Sequence, residues 1–194
     1  MATERGRKPK QDMDIYYPGN GVEELTNYLM EHGERRRVGK GTALVEEDSA
    51  SDELFLLRRG VAKSVCTDYK GRERILTLTF EGELMGSYLP ARLNQPSPFG
   101  IITLEDSLVY SIHLHEHRAF FEHCVEGRRY VRAFTEYIAH THLMHYISET
   151  RLSPWQRLDD LLERVPDILL RLSRRDVAAY IGVTPEALSR HLSR

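Results

Sequence analysis

The stretch Leu172–Leu192, LSRRDVAAYIGVTPEALSRHL, holds two helix starts separated by one glycine turn. Ser173 stands where an N-cap hydroxyl accepts from the backbone three residues on, and Asp176 is placed to reach back to it. Thr184 repeats the device. Pro185 follows at the first helical position, where its missing N–H costs nothing, and Glu186 sits against the positive helix end. Between the two helices, Ile181-Gly182-Val183 leaves room only for a tight turn. Two short helices joined in this way form the geometry in which the second helix enters the DNA major groove. Val177, Ile181, Val183 and Leu188 supply a small core, Ala178 permits close approach, and Glu186, Ser189, Arg190, Ser193 and Arg194 face outward. His191 stands where an apolar residue is more usual. Such helix pairs also occur in proteins that never touch DNA, so the rest of the chain decides.

The formal net charge of −2 hides an asymmetry. Residues 1–10 carry four Lys/Arg against one acid, residues 171–194 carry five against two, and the body between them is correspondingly acidic. A basic end on an acidic body suits a polyanion-binding unit attached to a separate domain, with the last helix expected far from the acidic body. At 194 residues with 41% hydrophobic side chains, the chain can build one large domain or two smaller ones. Residues 1–20 read as a flexible basic N-terminus without an apolar run. No stretch approaches the roughly 18 apolar residues of a membrane helix, so a cytoplasmic, membrane-free protein is expected. Cys66 and Cys124 are far apart and have no CxxC partner, which excludes a disulfide framework or a cysteine-based metal site.

From about Arg36 to Leu114 the pattern is strand-like and punctuated by glycines, following a helix, GVEELTNYLMEH. In RILTLTF, Leu76, Leu78 and Phe80 alternate with Thr77 and Thr79; in LVYSIHL the alternation groups Leu108, Tyr110, Ile112 and Leu114. Short strands at this spacing predict a β-roll of the jelly-roll or double-stranded β-helix kind. EHRAFFEHCVE predicts a short helix stopped at Gly127. Residues 128–152 then lack Gly and Pro and carry Val131, Phe134, Ile138 and Leu152 near a seven-residue stripe. That predicts a helix of roughly 40 Å at 1.5 Å per residue, paired with a second copy of the chain; the alternative is packing on its own subunit. Ser153-Pro154-Trp155-Gln156 is a capping box opening a helix with Leu158, Leu161, Leu162 and Val165. The expected class is α+β, with a sensor domain over 21–126, a dimerisation helix over 127–152 and a helix-turn-helix domain over 153–194.

A glycine-punctuated β-roll, a long helix and then LSRRDVAAYIGVTPEALSRHL, in that order, resemble the Crp/Fnr superfamily of bacterial transcription regulators over nearly the whole chain from about residue 22. The resemblance implies a homodimer, a cyclic-nucleotide-binding-like sensor, a reader of two-fold symmetric double-stranded DNA, and RNA polymerase as a partner; it implies no enzymatic activity. The family's recognition helix often shows Arg-Glu-x-x-x-Arg. Here Pro185-Glu186-x-x-x-Arg190 keeps the glutamate and the second arginine but not the first, so the half-site should differ from the best-known one. Arg190 is then expected to bond guanine O6 and N7, and Glu186 a cytosine amino group, each worth about 1–3 kcal/mol of discrimination. Arg174, Arg175, Thr184 and Ser189 are expected at phosphates, with Pro185 and Arg194 completing the surface. The family usually continues into a β-wing; an ending at Arg194 means either a shorter branch or an incomplete sequence.

In members that bind cyclic AMP, a Gly-Glu pair and a later arginine hold the ribose and the phosphate. The matching stretch, GELMGSYLPARLNQPSPFGII, keeps Gly86, has Ser87 at the glutamate position and places Ser97 to Phe99 at the arginine position; Arg92 comes too early. The implied effector pocket is Gly86, Ser87, Ser97 and Phe99, without tight cyclic AMP binding and with the effector unknown. Histidines offer a second sensing chemistry, because imidazole binds zinc, copper or haem iron. His113 and His115 share a strand face, His117 falls in the next helix, and His140, His142 and His145 lie on the long helix. Surface or packed histidines are the plainer account. Two other readings stand beside the regulator. A cupin-like metal enzyme would need a glutamate beyond the His-x-His, yet Glu116 lies between histidines; a stand-alone nucleotide-binding module would use the C-terminal helices only as an interface.

Overall fold

The structure is a computed structural model that describes residues 21–193. The basic N-terminal segment, residues 1–20, and Arg194 lie outside the described residues. The first helix, α1 (Gly21–His32), leads into the strands β1 (Glu34–Val38), β2 (Ala43–Val45), β3 (Glu53–Arg59), β4 (Ala62–Thr67), β5 (Glu73–Thr79) and β6 (Leu84–Gly86). A short helix, α2 (Tyr88–Arg92), separates these from β7 (Gly100–Thr103) and β8 (Ser107–His113). The strands pair antiparallel into two four-stranded sheets, in the orders β1-β8-β3-β6 and β2-β7-β4-β5. The expected mixed α+β class with a jelly-roll-like β-roll is what forms.

Strand β3, ELFLLRR, carries the unbroken apolar run Leu54–Leu57 because both of its faces are covered there. Phe55 and Leu57 point between the sheets, where they meet Leu44, Val45, Ala62, Met85, Ile101 and Val109. Leu54 and Leu56 point the other way and pack with Leu84 and Ile112 against Leu25 and Leu29 of α1. In β5 the expected alternation is interrupted. A bulge opposite Ser64 and Val65 sets Val65 against Ile75 and displaces Leu76, so Ile75 joins Leu78 and Phe80 in one cluster. Thr77 and Thr79 stay buried on the opposite face.

After β8 come α3 (Arg118–His123) and the long α4 (Val125–Arg151). Gly127 does not stop a helix, contrary to expectation: the break falls at Cys124, in extended conformation, and Gly127 lies inside α4. Its role is close approach, since a Cβ there would sit 2.1 Å from the Phe120 carbonyl oxygen of α3. The expected interchain stripe is also partly used at home. Phe134 is 2% exposed, and Val131 and Ile138 are half-buried, all in the chain's own cluster with α1, α3 and residues of the first sheet.

The C-terminal helices are α5 (Pro154–Arg164), α6 (Ile168–Arg171), α7 (Arg174–Ile181) and α8 (Pro185–Leu192). They are not held away from the acidic body. Val65, Ile75 and Leu78 of the second sheet, with Val61, Phe80 and Leu104 at its strand ends, form one continuous core with Leu158, Leu161, Ile168, Leu172, Val177, Ala178, Ile181 and Leu188. Ion pairs edge this contact: Lys63 to Glu73 at 2.6 Å and to Asp176 at 3.4 Å, and Arg171 to Glu81 and Glu105.

Candidate DNA-reading surface and effector cavity

The helix pair is built as its local sequence directs. Ser173 Oγ accepts from Asp176 N–H at 3.1 Å, and Thr184 Oγ1 from Ala187 N–H at 3.2 Å. Gly182 closes α7 in the left-handed region at φ 78°, which a side chain would strain. Arg157 of α5 then locks the pair to the long helix, donating to the Ile181 carbonyl at 2.5 Å and the Glu149 carbonyl at 3.1 Å. These are C-terminal carbonyls of α7 and α4, where a cation is favoured. His191, out of place by pattern, lies flat against Trp155 of α5 with ring centroids 4.0 Å apart. Only the folded structure supplies that partner.

Leu188 is fully buried, whereas Thr184, Pro185, Glu186 and Arg190 on the same helix are exposed. Glu186 and Arg190 are one turn apart on the open face, a spacing that brings side chains together. The backbone amide at Glu186 itself, the Thr184 hydroxyl and the Arg190 charge hold the Glu186 carboxyl below its usual range. It is therefore an acceptor at neutral pH. Arg174 and Arg175 are exposed at the start of α7, and Arg174 donates to Ser189 Oγ at 3.1 Å, joining two expected phosphate contacts into one patch. Arg194 lies outside the described residues.

The effector residues are split. A cavity of about 30 Å³ lies between the β-roll and α4. Gly86 and Phe99 line it together with Ser64, Thr77, Thr79 and Glu83, and Tyr137, Thr141 and His142 close it from α4. Ser87 and Ser97 are not in its lining. Ser97 instead knits the loop after β2: its N–H donates to Ser49 O, its O accepts from Asp48 N–H, both at 2.8 Å, and its hydroxyl donates to Phe99 O. Ser87 is 2% exposed, and its hydroxyl has no hydrogen-bond partner among the described residues. Arg92 points its guanidinium at Tyr88 Oη, 3.3 Å away, on an exposed helix. Neither Lys nor Arg lines the cavity among the described residues.

The charge that does face the cavity is acidic. Partial burial pushes the Glu83 carboxyl up, although the Phe80 N–H and Arg164 pull the other way. Burial likewise lowers His142. Pattern reading missed Glu83, Thr141 and the wall formed by α4, because the strand-helix packing that unites them is long-range.

The histidines separate into distinct environments. His117 bonds the Tyr28 hydroxyl of α1 at 2.8 Å. His145 stacks on Tyr180 of α7 with centroids 5.4 Å apart. His113 and His115 converge on Asp52.

A β-roll, a long helix and a helix-turn-helix thus follow one another in one chain. Residues 35–124 match the cyclic nucleotide-binding domain family. The transcriptional regulatory protein btr of Bordetella pertussis is 30% identical over 188 aligned positions, which cover 91% of this chain and 76% of that protein. Among solved structures, FixK2 of Bradyrhizobium japonicum superposes with a TM-score of 0.67 at 20% identity, covering 83% of each chain. The c-di-GMP-responsive global regulator CLP of Xanthomonas campestris gives 0.67 at 16% identity, covering 88% of this chain and 90% of its own. The chain belongs to the Crp/Fnr superfamily of transcription regulators, whose members here are regulators and not enzymes. Among the described residues no helix is long and apolar enough to cross a membrane.

Proposed function

We propose that this protein is a homodimeric regulator that reads a palindromic operator through α8 and works with RNA polymerase in the cytoplasm. One observation carries the reading: Glu186 and Arg190 stand exposed on one face of a capped helix whose opposite face is anchored by Leu188. That arrangement suits insertion into the major groove, with Arg190 on a guanine and Glu186 on a cytosine. Arg174, Arg175, Thr184 and Ser189 fit phosphate contacts that set register, with Pro185 at the helix entry and Arg194 beyond its end. For the dimer, the C-terminal half of α4 offers Leu143 and Tyr146, 55% and 67% exposed, on a face apart from the stripe.

Cyclic AMP is not the effector of this reading. Among the described residues no Lys or Arg lines the cavity to neutralise its phosphate, and the cavity is small, about 30 Å³. Calorimetric titration with cyclic AMP is expected to show no micromolar binding, and such binding would overturn this point.

The deciding experiment is selection of bound sequences from random double-stranded DNA. The expected outcome is a palindrome with half-sites about one helical turn apart. Arg190→Ala should weaken the selected site by about 1–3 kcal/mol per half-site and relax one base position. Absence of enrichment, or an unchanged motif with Arg190→Ala, overturns the reading.

A further inference from the structure

At one end of the first sheet, three side chains from two separate segments point at one spot. Asp52 Oδ1 lies 3.0 Å from His113 Nδ1, and Asp52 Oδ2 faces His115 Nδ1. The three ligand atoms fall within 4.8 Å of one another. The backbone enforces the meeting: Glu53 pairs with His113 across β3 and β8, and Leu114 N–H donates to Asp52 O at 2.8 Å. His113 ends β8 and His115 follows in the turn that begins there, where Glu116 N–H donates to the His113 carbonyl at 3.1 Å, and both imidazoles meet the Asp52 carboxylate.

We propose that Asp52, His113 and His115 form a binding site for a divalent first-row transition ion of the zinc type. Two imidazoles and one carboxylate are donors suited to such ions, with the remaining positions open to water. Metal–ligand bonds of about 2.0–2.2 Å require only small rotations of these side chains, which are 45%, 65% and 39% exposed for His113, His115 and Asp52 and so are free to turn. A second feature points the same way. The other ring nitrogen of His113, Nε2, faces Glu53 Oε1 at 3.8 Å, and that carboxylate is held by Arg36 Nη1 at 2.7 Å. A carboxylate behind a ligating imidazole fixes the ring and raises its basicity, the usual support of a metal histidine. Magnesium and calcium, which prefer all-oxygen shells, do not suit this set.

The ion would join the loop before β3 to the turn after β8. That loop also holds Ser97 through Asp48 and Ser49, next to the Phe99 wall of the cavity, so occupancy would brace the wall from outside. The site is independent of how α8 reads DNA.

The test uses the full chain, stripped with a chelator and titrated calorimetrically with zinc sulfate, with cobalt(II) absorption as a second readout. One zinc per chain is expected at this site, together with visible cobalt bands and a zinc-dependent rise in thermal midpoint. Asp52→Asn and His115→Ala should each weaken binding at least about tenfold and abolish the midpoint shift, and Glu53→Gln should weaken it about tenfold. His123→Ala, outside the cluster, should change nothing, and excess magnesium should not compete. Absence of saturable zinc binding in the wild-type chain, or equal binding in His115→Ala, overturns the proposal. If Asp52→Asn misfolds, His115→Ala decides alone, since its exposed ring makes few folding contacts.

Discussion

Helix α2 follows strand β6 and helix α8 follows the turn at Gly182, and the two are secured in opposite ways. In α8 the Thr184 hydroxyl caps the first turn, Pro185 presets it, and Leu188 anchors it in a core shared with the second sheet. In α2 the residue at the cap, Ser87, makes no capping bond, its buried hydroxyl has no partner among the described residues, and none of Tyr88–Arg92 is buried. A buried hydroxyl without a partner costs about 1–3 kcal/mol, a cost relieved by any group that supplies the missing bond. Helix α8 is therefore capped and anchored by the chain itself, while the start of α2 keeps a buried hydroxyl unsatisfied close to the cavity.

The largest effect should come from breaking the anchored helix. Leu188→Ala removes a fully buried side chain at the junction of α7 and α8 and should lower stability by about 2–5 kcal/mol in denaturant unfolding. Because Leu188 shares its cluster with Val65, Ile75 and Phe80, the whole chain should unfold earlier in one transition. A separate early transition of the helices alone would show that the shared core does not couple the two regions. Arg157→Ala should cost about 2–3 kcal/mol, because it frees two carbonyls from charged donors. If the loss is no larger than for an exposed arginine such as Arg132, the clamp between α4 and α7 contributes nothing.

A matched pair of hydroxyl deletions tests the contrast directly. Thr184→Ala loses a cap and should destabilise by about 1 kcal/mol. Ser87→Ala removes an unsatisfied buried group and should be neutral or stabilising in the ligand-free chain. Equal losses at both positions would mean that Ser87 makes a bond after all, and the distinction between the two helices would fall.

What pattern reading recovers follows from how local each interaction is. The caps at Ser153, Ser173 and Thr184 and the turn at Gly182 are set within four residues, and all four form as expected. The boundaries of α1 are legible for the same reason. The failures lie where partners come from far along the chain. Leu76 leaves its expected face because of a bulge pairing with β4, and Gly127 turns out to be a contact with α3. The short α6 went unseen, since Ile168 and Leu172 gain their meaning only against the second sheet. Of the expected DNA surface, Arg174 and Ser189 touch and Glu186 and Arg190 share a face, because one helix pair carries them all. Of the expected effector residues, two line the cavity and two do not, because the cavity's far wall is a helix some forty residues further on.

The smallest effect should be a change in pH dependence at the cavity itself. Glu83 is part-buried, its side chain 32% exposed, and desolvation by the surrounding chain raises its carboxyl above the ordinary value of 4.5 in the folded chain. A folded state that holds a proton more tightly than the unfolded chain is favoured below the unfolded value and loses that advantage as pH rises through the folded one. Glu83 should thus make stability decline from about pH 4.5 upward, whereas Asp68, held down to about 2 by Arg72, acts in the opposite sense on the acid side. Glu83→Gln keeps an oxygen for the Phe80 N–H and removes the proton, so the decline should flatten above the carboxylate range while the acid limb stays as it was. Urea unfolding of the wild type and Glu83→Gln from pH 4 to 8 measures the difference. Parallel curves would place Glu83 in free solvent, and the cavity would then lose the acidic wall that turns a phosphate away.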